Sequence, residues 1–180
     1  MYNNNCDGLT LEELKLIEKL EGYEEYAYTD TEGKVTVGYG FNMDASSARD
    51  IWNKLEIPED YDKVYDKEID ISKNTGLVLL CYIWGKAIKK AKARAEDLGY
   101  KWNEYNEFQK FILTDIAYNT GSVNNWTKVF AADGKTMLKE ARRRQRELDS
   151  RIAKIGYHYG VISSLEEAIE AGLEEARFIL

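Results

Sequence analysis

The sequence predicts an α+β protein of two lobes: a small lobe combining a helix with a β-hairpin, and a larger all-helical lobe, joined by a long helix. Three observations carry this expectation. Aromatic and β-branched residues gather around one turn signal between Tyr26 and Phe41, and beyond Ser72 the apolar spacing is helical throughout. A run of about 25 residues ending at Gly99 keeps one apolar stripe, and at 1.5 Å per residue it would span roughly 35 Å, which suits a connector. The charge is also divided. Residues 1–70 carry 18 acidic and 7 basic side chains, residues 71–154 carry 9 and 17, and residues 155–180 carry 5 and 1. The expected division is therefore 1–71 for the first lobe and 72–180 for the connecting helix and second lobe. At 180 residues the chain can bury about two thirds of its unfolded surface without staples.

Thr10-Leu-Glu-Glu13 is a capping box opening a helix over 11–21. Leu11, Leu14, Ile17 and Leu20 form its apolar stripe and Gly22 caps its end. The turn signal Asp30-Thr-Glu-Gly33 then joins two strands of a hairpin, with a short third strand after it. Asp44 or Ser46 would cap a helix running through Leu55, Pro58 breaks it, and a polar, Tyr-rich stretch leads to Ser72. Leu77, Cys81, Trp84, Ile88, Ala91 and Ala95 mark the stripe of the long helix. Further helices are expected over Asn103–Tyr118, over Lys135–Ile155 as one or two pieces, and over Ser163–Leu180, the last with Leu165, Ile169, Leu173 and Ala176 on one face.

Composition excludes several chemistries. A single histidine, His158, rules out a multi-histidine metal site, and Cys6 and Cys81 form neither a CxxC pair nor a zinc spacing, so no metal or cofactor is expected. Two cysteines likewise exclude a disulfide framework, and Cys81 within LVLLCYIW reads as an inert core thiol. The acidic first segment argues against a general nucleic-acid binder. No apolar stretch approaches the roughly 18 residues of a membrane span and the N-terminus is polar, so synthesis in the cytosol without an integral membrane segment is expected. Lys86, Lys89, Lys90, Lys92 and Arg94 point away from the long helix's stripe and read as a solvated face, or as one that attracts an anionic wall. Asp115, on the flank of an apolar stripe, needs a partner among Arg142 to Arg146.

Chemistry concentrates between Glu21 and Gly40. Glu21 follows Ile17 by four residues and Leu14 by seven, so it falls on the apolar stripe of the first helix, where a carboxyl is partly desolvated and suited to act as a general acid. Asp30, in the hairpin turn, sits in wetter surroundings. Two carboxyls in unlike environments are the equipment for glycosidic-bond hydrolysis. Strand alternation places Thr36, Gly38 and Gly40 on one face, where a polymer could approach the backbone. The same residues also fit an ordinary reading, with Glu21 as a last-turn residue, Asp30 as a turn cap and Thr36 as a plain strand residue.

The segment EGYEEYAYTDTEGKVTVGYG resembles the active-site region of the phage T4-type lysozymes (endolysins, muramidases): a Glu-Gly pair, then Tyr-x-Asp-x-x-Gly, then Thr-x-Gly-x-Gly, without a gap. The resemblance implies a lysozyme-like fold with catalytic Glu21, Asp30 and Thr36. More weakly, FQKFILTDIAYNTG is similar to that family's helix ending in aromatic-Asn-x-Gly, which implies that Tyr118 and Asn119 line a sugar cleft between lobes. Glu32 in the turn is the third implied substrate contact. Arg143-Arg-Gln-Arg-Glu147 is similar to an Arg-Arg-x-x-Glu stretch of the family, without its preceding Gly-Leu. Where many members carry His after the last hairpin glycine, this chain has Phe41. The implied activity is inverting hydrolysis of the β-1,4 bond between N-acetylmuramic acid and N-acetylglucosamine in peptidoglycan, without cofactor and by a monomer. The protein would remain in a host's cytoplasm until a holin releases it to the wall or periplasm, or would travel in a virion. A catalytically inactive glycan-binding or virion module, a bacteriocin's toxin domain, and action on chitin-like polymers remain the alternatives.

Overall fold

A computed structural model describes residue 6, residues 9–142 and residues 149–173. It is α+β, with one three-stranded antiparallel sheet in the order β1-β2-β3 and a mostly helical remainder. The chain forms two compact units, Met1–Gly85 and Lys86–Leu180.

In the first unit, α1 (Leu11–Glu21) begins with the expected capping box. The Glu13 N–H donates to Thr10 Oγ1 at 3.2 Å, while the Glu13 carboxylate accepts the Thr10 N–H at 2.7 Å. Such a cap contributes about 1 kcal/mol. The buried stripe is rotated from the expected one: Leu16 and Ile17 are covered, whereas Leu11 is 66% exposed. β1 (Glu24–Thr29), β2 (Val35–Gly38) and β3 (Phe41–Asn42) follow, with Tyr28 opposite Thr36 and Thr29 opposite Val35. Between Glu24, which faces Gly38, and Tyr28, β1 holds three residues against the single Val37 of β2, a bulge that increases local twist. Ala27, Val37, Phe41 and Met43 bury one sheet face against Ile51 and Trp52 of α2 (Ala48–Lys54), Val64 of α3 (Tyr61–Tyr65), Ile71 and Leu79.

Several expectations change here. Ser47, not Asp44 or Ser46, precedes α2, and its side chain makes no cap bond. Asp44 ties β2 to α3 instead: its carboxylate accepts the Val35 N–H and the Tyr65 hydroxyl, each at 2.7 Å. These bonds, the Tyr65 one first, hold its carboxyl below the usual range. The polar, Tyr-rich stretch that leads to Ser72 contains α3, capped by Asp60. The two cysteines are also bonded to each other. A single bridge needs only two, and the N-terminal segment brings Cys6 back to Cys81 with their Cα atoms 5.0 Å apart, so Cys81 is no free thiol.

The long helix α4 (Lys73–Asp97) is unbroken at 25 residues. The Glu59 carboxylate secures its start, accepting the Ser72 N–H at 3.0 Å and the Thr75 hydroxyl at 2.9 Å. The two units divide at Gly85, inside this helix.

In the second unit, a 3-10 turn (Trp102–Glu104) precedes α5 (Glu107–Thr120). The helix expected from Asn103 starts four residues later because Asn106 and Gln109 form its capping box, and Gly121 ends it in the left-handed conformation at φ 68°. The short α6 (Thr127–Phe130) was not anticipated. The expected 135–155 helix consists of α7 (Gly134–Arg142) and α8 (Asp149–His158), and residues 143–148, with their Arg-Arg-x-x-Glu stretch, lie outside the described residues. Within the range expected to form the closing helix, α9 covers Leu165–Glu170, and residues 174–180, Ala176 among them, lie outside the described residues.

Asp115 has its counter-charge on α8, outside the expected window of residues 142–146. The Arg151 guanidinium grips both carboxylate oxygens, with Nε at 3.0 and 2.9 Å and an Nη bond besides, and the two side chains are 7% and 5% exposed. The cationic face of α4 is likewise not wholly solvated. Lys90 Nζ donates to the Gly121 carbonyl at 2.8 Å and Arg94 Nη2 to the Asn124 carbonyl at 3.0 Å, satisfying carbonyls at and beyond the end of α5. His158 is exposed and meets Tyr159 edge to face.

Candidate active site

Glu21, Asp30, Glu32 and Thr36 all belong to the first unit. Glu21 is the last residue of α1, where Gly22, at φ 71°, turns the chain into β1. The residue is half-buried. Oε2 lies 3.8 Å from the position a Cβ would occupy on Gly40, so the helix end and the β2–β3 turn meet at this carboxylate. Gly40 is exposed, and its φ of 88° is one that L side chains rarely adopt.

Asp30 organises the hairpin. Its Oδ1 accepts the backbone N–H groups of Glu32 at 2.9 Å and Lys34 at 2.8 Å, and its carbonyl accepts the Gly33 N–H. This is the turn chemistry that aspartate supplies, and it fixes the carboxylate's orientation. The second oxygen, Oδ2, accepts the Thr36 hydroxyl at 3.3 Å. That hydroxyl also lies 3.4 Å from the Lys34 carbonyl, so its single hydrogen is shared between the two acceptors. Asp30 thus caps the turn as in the ordinary reading, with Oδ2 directed to Thr36. Glu32 lends its backbone to this turn, and the residue is exposed.

The face expected to be open is open only in part. Thr36 is 4% exposed, and its cross-strand neighbour Tyr28, on the same side of the sheet, is 38% exposed. Gly38 departs from strand alternation because its φ is 67°. A Cβ there would stand 3.3 Å from both the Gly76 Cα and the Ile71 Cδ1, so this glycine permits close packing against α4 rather than the approach of a polymer. Only Gly40 of the three positions faces outward.

Tyr28 belongs to the same sequence motif. Its phenol pKa is raised, first by burial and then by the negative charges of Asp30, Glu24 and Glu21, which places both candidate catalytic carboxylates in the field of one hydroxyl. The signal available in the sequence was its spacing, two residues before Asp30 and one after the buried Ala27.

Nearby, the Glu18 carboxylate accepts the Tyr39 hydroxyl at 2.7 Å and pairs with Lys73 at 3.1 Å. The Tyr39 bond leads in lowering the Glu18 pKa, and burial with the same bond raises that of Tyr39. These contacts fix α1 against the β2–β3 turn and α4, and so hold Glu21 in place.

Tyr118 and Asn119 stand in the last turn of α5, in the second unit. Tyr118 is half-buried, and the Asn119 amide donates to the Asp115 carbonyl one turn back at 2.9 Å.

A cavity of about 360 Å³ in the first unit is lined by Met43, Asp44, Arg49, Tyr61, Asp62 and Tyr65. Its charges serve the fold: Arg49 pairs with Asp62 and lies 4.4 Å above the Tyr61 ring, and Asp44 is engaged as described. Among the described residues no group of three or more His, Cys, Asp or Glu gathers as a metal site, and no helix is long and apolar enough to cross a membrane. The chain matches no family model and no curated protein in the comparisons made.

Proposed function

We propose that the first unit carries a glycosidase site of the T4-lysozyme kind that cleaves the β-1,4 bond between N-acetylmuramic acid and N-acetylglucosamine in peptidoglycan. The observation that carries this reading is the Asp30–Thr36 hydrogen bond within a turn-locked hairpin, with Glu21 held at the adjoining helix end. Glu21 donates a proton to the glycosidic oxygen as the bond breaks. Asp30, with Thr36, holds a water on the opposite sugar face and takes its proton as the water attacks the anomeric carbon, inverting it. Glu32 contacts the glycan beside this site. The protein acts as a monomer without cofactor, and reaches the wall through a holin or within a virion.

The test is clearing of a suspension of purified peptidoglycan, with the products identified by mass spectrometry. New muramic acid reducing ends are expected; glucosamine reducing ends, or a preference for chitin, would reassign the substrate.

One observation favours a second reading, that of a glycan-binding module without turnover. Oδ1 of Asp30 is occupied by two backbone N–H groups and Thr36 is nearly covered, which leaves Oδ2 as the oxygen for a water. Binding to peptidoglycan with no reducing ends released would establish that reading over the first.

A further inference from the structure

Six large hydrophobic side chains stand out as exposed among the described residues: Leu11, Tyr26, Tyr28, Tyr100, Tyr157 and Leu165. Scattered singly, such residues need no explanation. Tyr26 and Tyr28 are not scattered. They flank the buried Ala27 on β1 and are 51% and 38% exposed, so both rings are open to solvent on either side of a covered residue. They also lie beside the candidate site. Tyr28 is paired across the sheet with Thr36 and precedes Asp30 by two residues.

A rigid strand presenting two tyrosines at i and i+2 is suited to pyranose rings. The axial C–H groups of a β-linked sugar form an apolar face that covers an aromatic ring, while the phenol at the ring's edge hydrogen-bonds the sugar's hydroxyls and acetamido group. Two χ angles per side chain keep the ordering cost low. We propose that Tyr26 and Tyr28 form an aromatic wall on β1 against which successive sugars of a β-1,4-linked, N-acetylated glycan stack, setting affinity at the site beside it. This rests on the glycan-cleaving reading of that site.

The probe is chitohexaose, a soluble β-1,4-linked N-acetylglucosamine oligomer, titrated calorimetrically into the full chain carrying Glu21→Gln so that turnover does not intervene. In that background, Tyr26→Ala and Tyr28→Leu should each weaken binding by roughly three- to tenfold. Tyr28→Phe should retain most of the affinity, and Tyr100→Ala, at an exposed ring of the other unit, should leave it unchanged. With Glu21 restored, the same wall variants should raise KM on solubilised glycan strands more than they lower kcat. A thermal melt of each variant separates lost stacking from lost folding, and Tyr26→Ala, at the more exposed ring, decides if Tyr28→Leu melts early. Binding that is unaffected by both wall variants overturns the wall and leaves the reading of Glu21, Asp30 and Thr36 standing. Failure of the parent chain to bind chitohexaose or glycan strands overturns both.

Discussion

Thr36 donates its hydroxyl hydrogen to Asp30 Oδ2 at 3.3 Å, while two backbone N–H groups of the hairpin turn fix the other carboxylate oxygen. The pair therefore has one oriented carboxylate and one hydroxyl able both to donate and to accept, the minimum for holding a water in a set direction. Removing either group should affect the chemistry differently from the fold. Thr36→Val keeps the shape of a covered strand residue and should lower kcat on peptidoglycan by about 10-fold or more while the thermal midpoint moves little. Asp30→Asn should lower kcat by roughly 10²–10⁴-fold without trapping any covalent sugar. Mass spectrometry of the intact protein after mixing with substrate reads the second point.

Gly38 should tolerate no side chain. At φ 67°, with a Cβ placed 3.3 Å from the Gly76 Cα and the Ile71 Cδ1, Gly38→Ala should destabilise the protein by about 1–3 kcal/mol. Gly40→Ala shares the backbone strain but meets only Glu21 Oε2 at 3.8 Å, so it should destabilise less and perturb activity more. Urea melts and peptidoglycan clearing of the two variants make the comparison.

The Asp115–Arg151 pair, covered on both sides, should be severe to break from one side. Arg151→Met leaves a buried carboxylate without its counter-charge and should destabilise by about 3–5 kcal/mol, whereas replacing both partners with apolar residues of similar volume should recover most of that loss. A double-mutant cycle in chemical denaturation measures the difference.

The Cys6–Cys81 bridge closes a separation of 75 residues, and constraining so long a loop in the unfolded chain stabilises by about 2–4 kcal/mol. Reductant, or serine at both positions, should lower the thermal midpoint by on the order of 10 °C. An unchanged midpoint under reducing conditions would show that the bridge adds nothing to stability.

How far the sequence could be read depends on the kind of interaction. Local signals carried well: the Thr10 capping box, the Asp30 turn and the length of α4 each follow from residues within a few positions of one another. Signals that depend on distant partners did not. Asp115 needed a cation, but only the packing of α8 on α5 selects Arg151, and the role of Lys90 depends on where α5 ends. Cys6 lies 75 residues from its partner, and no periodicity in between foretells the return. At the candidate site, Glu21, Asp30 and Thr36 were legible from spacing and resemblance. The covering of Gly38 by α4 was not, because strand alternation does not apply at a positive φ. Nor is the environment of Tyr28 legible in the sequence, because it combines burial with the charges of carboxylates on different elements.

The most direct test of the central claim follows the anomeric protons of the first products by NMR, with purified peptidoglycan fragments as substrate and the Glu21→Gln chain alongside. The account predicts an initial α-anomer of N-acetylmuramic acid, mutarotating afterwards, and almost no product from the Glu21→Gln chain. An initial β-anomer would make Asp30 a nucleophile instead of a water-holder, and parent-like turnover by Glu21→Gln would remove Glu21 from the reaction altogether.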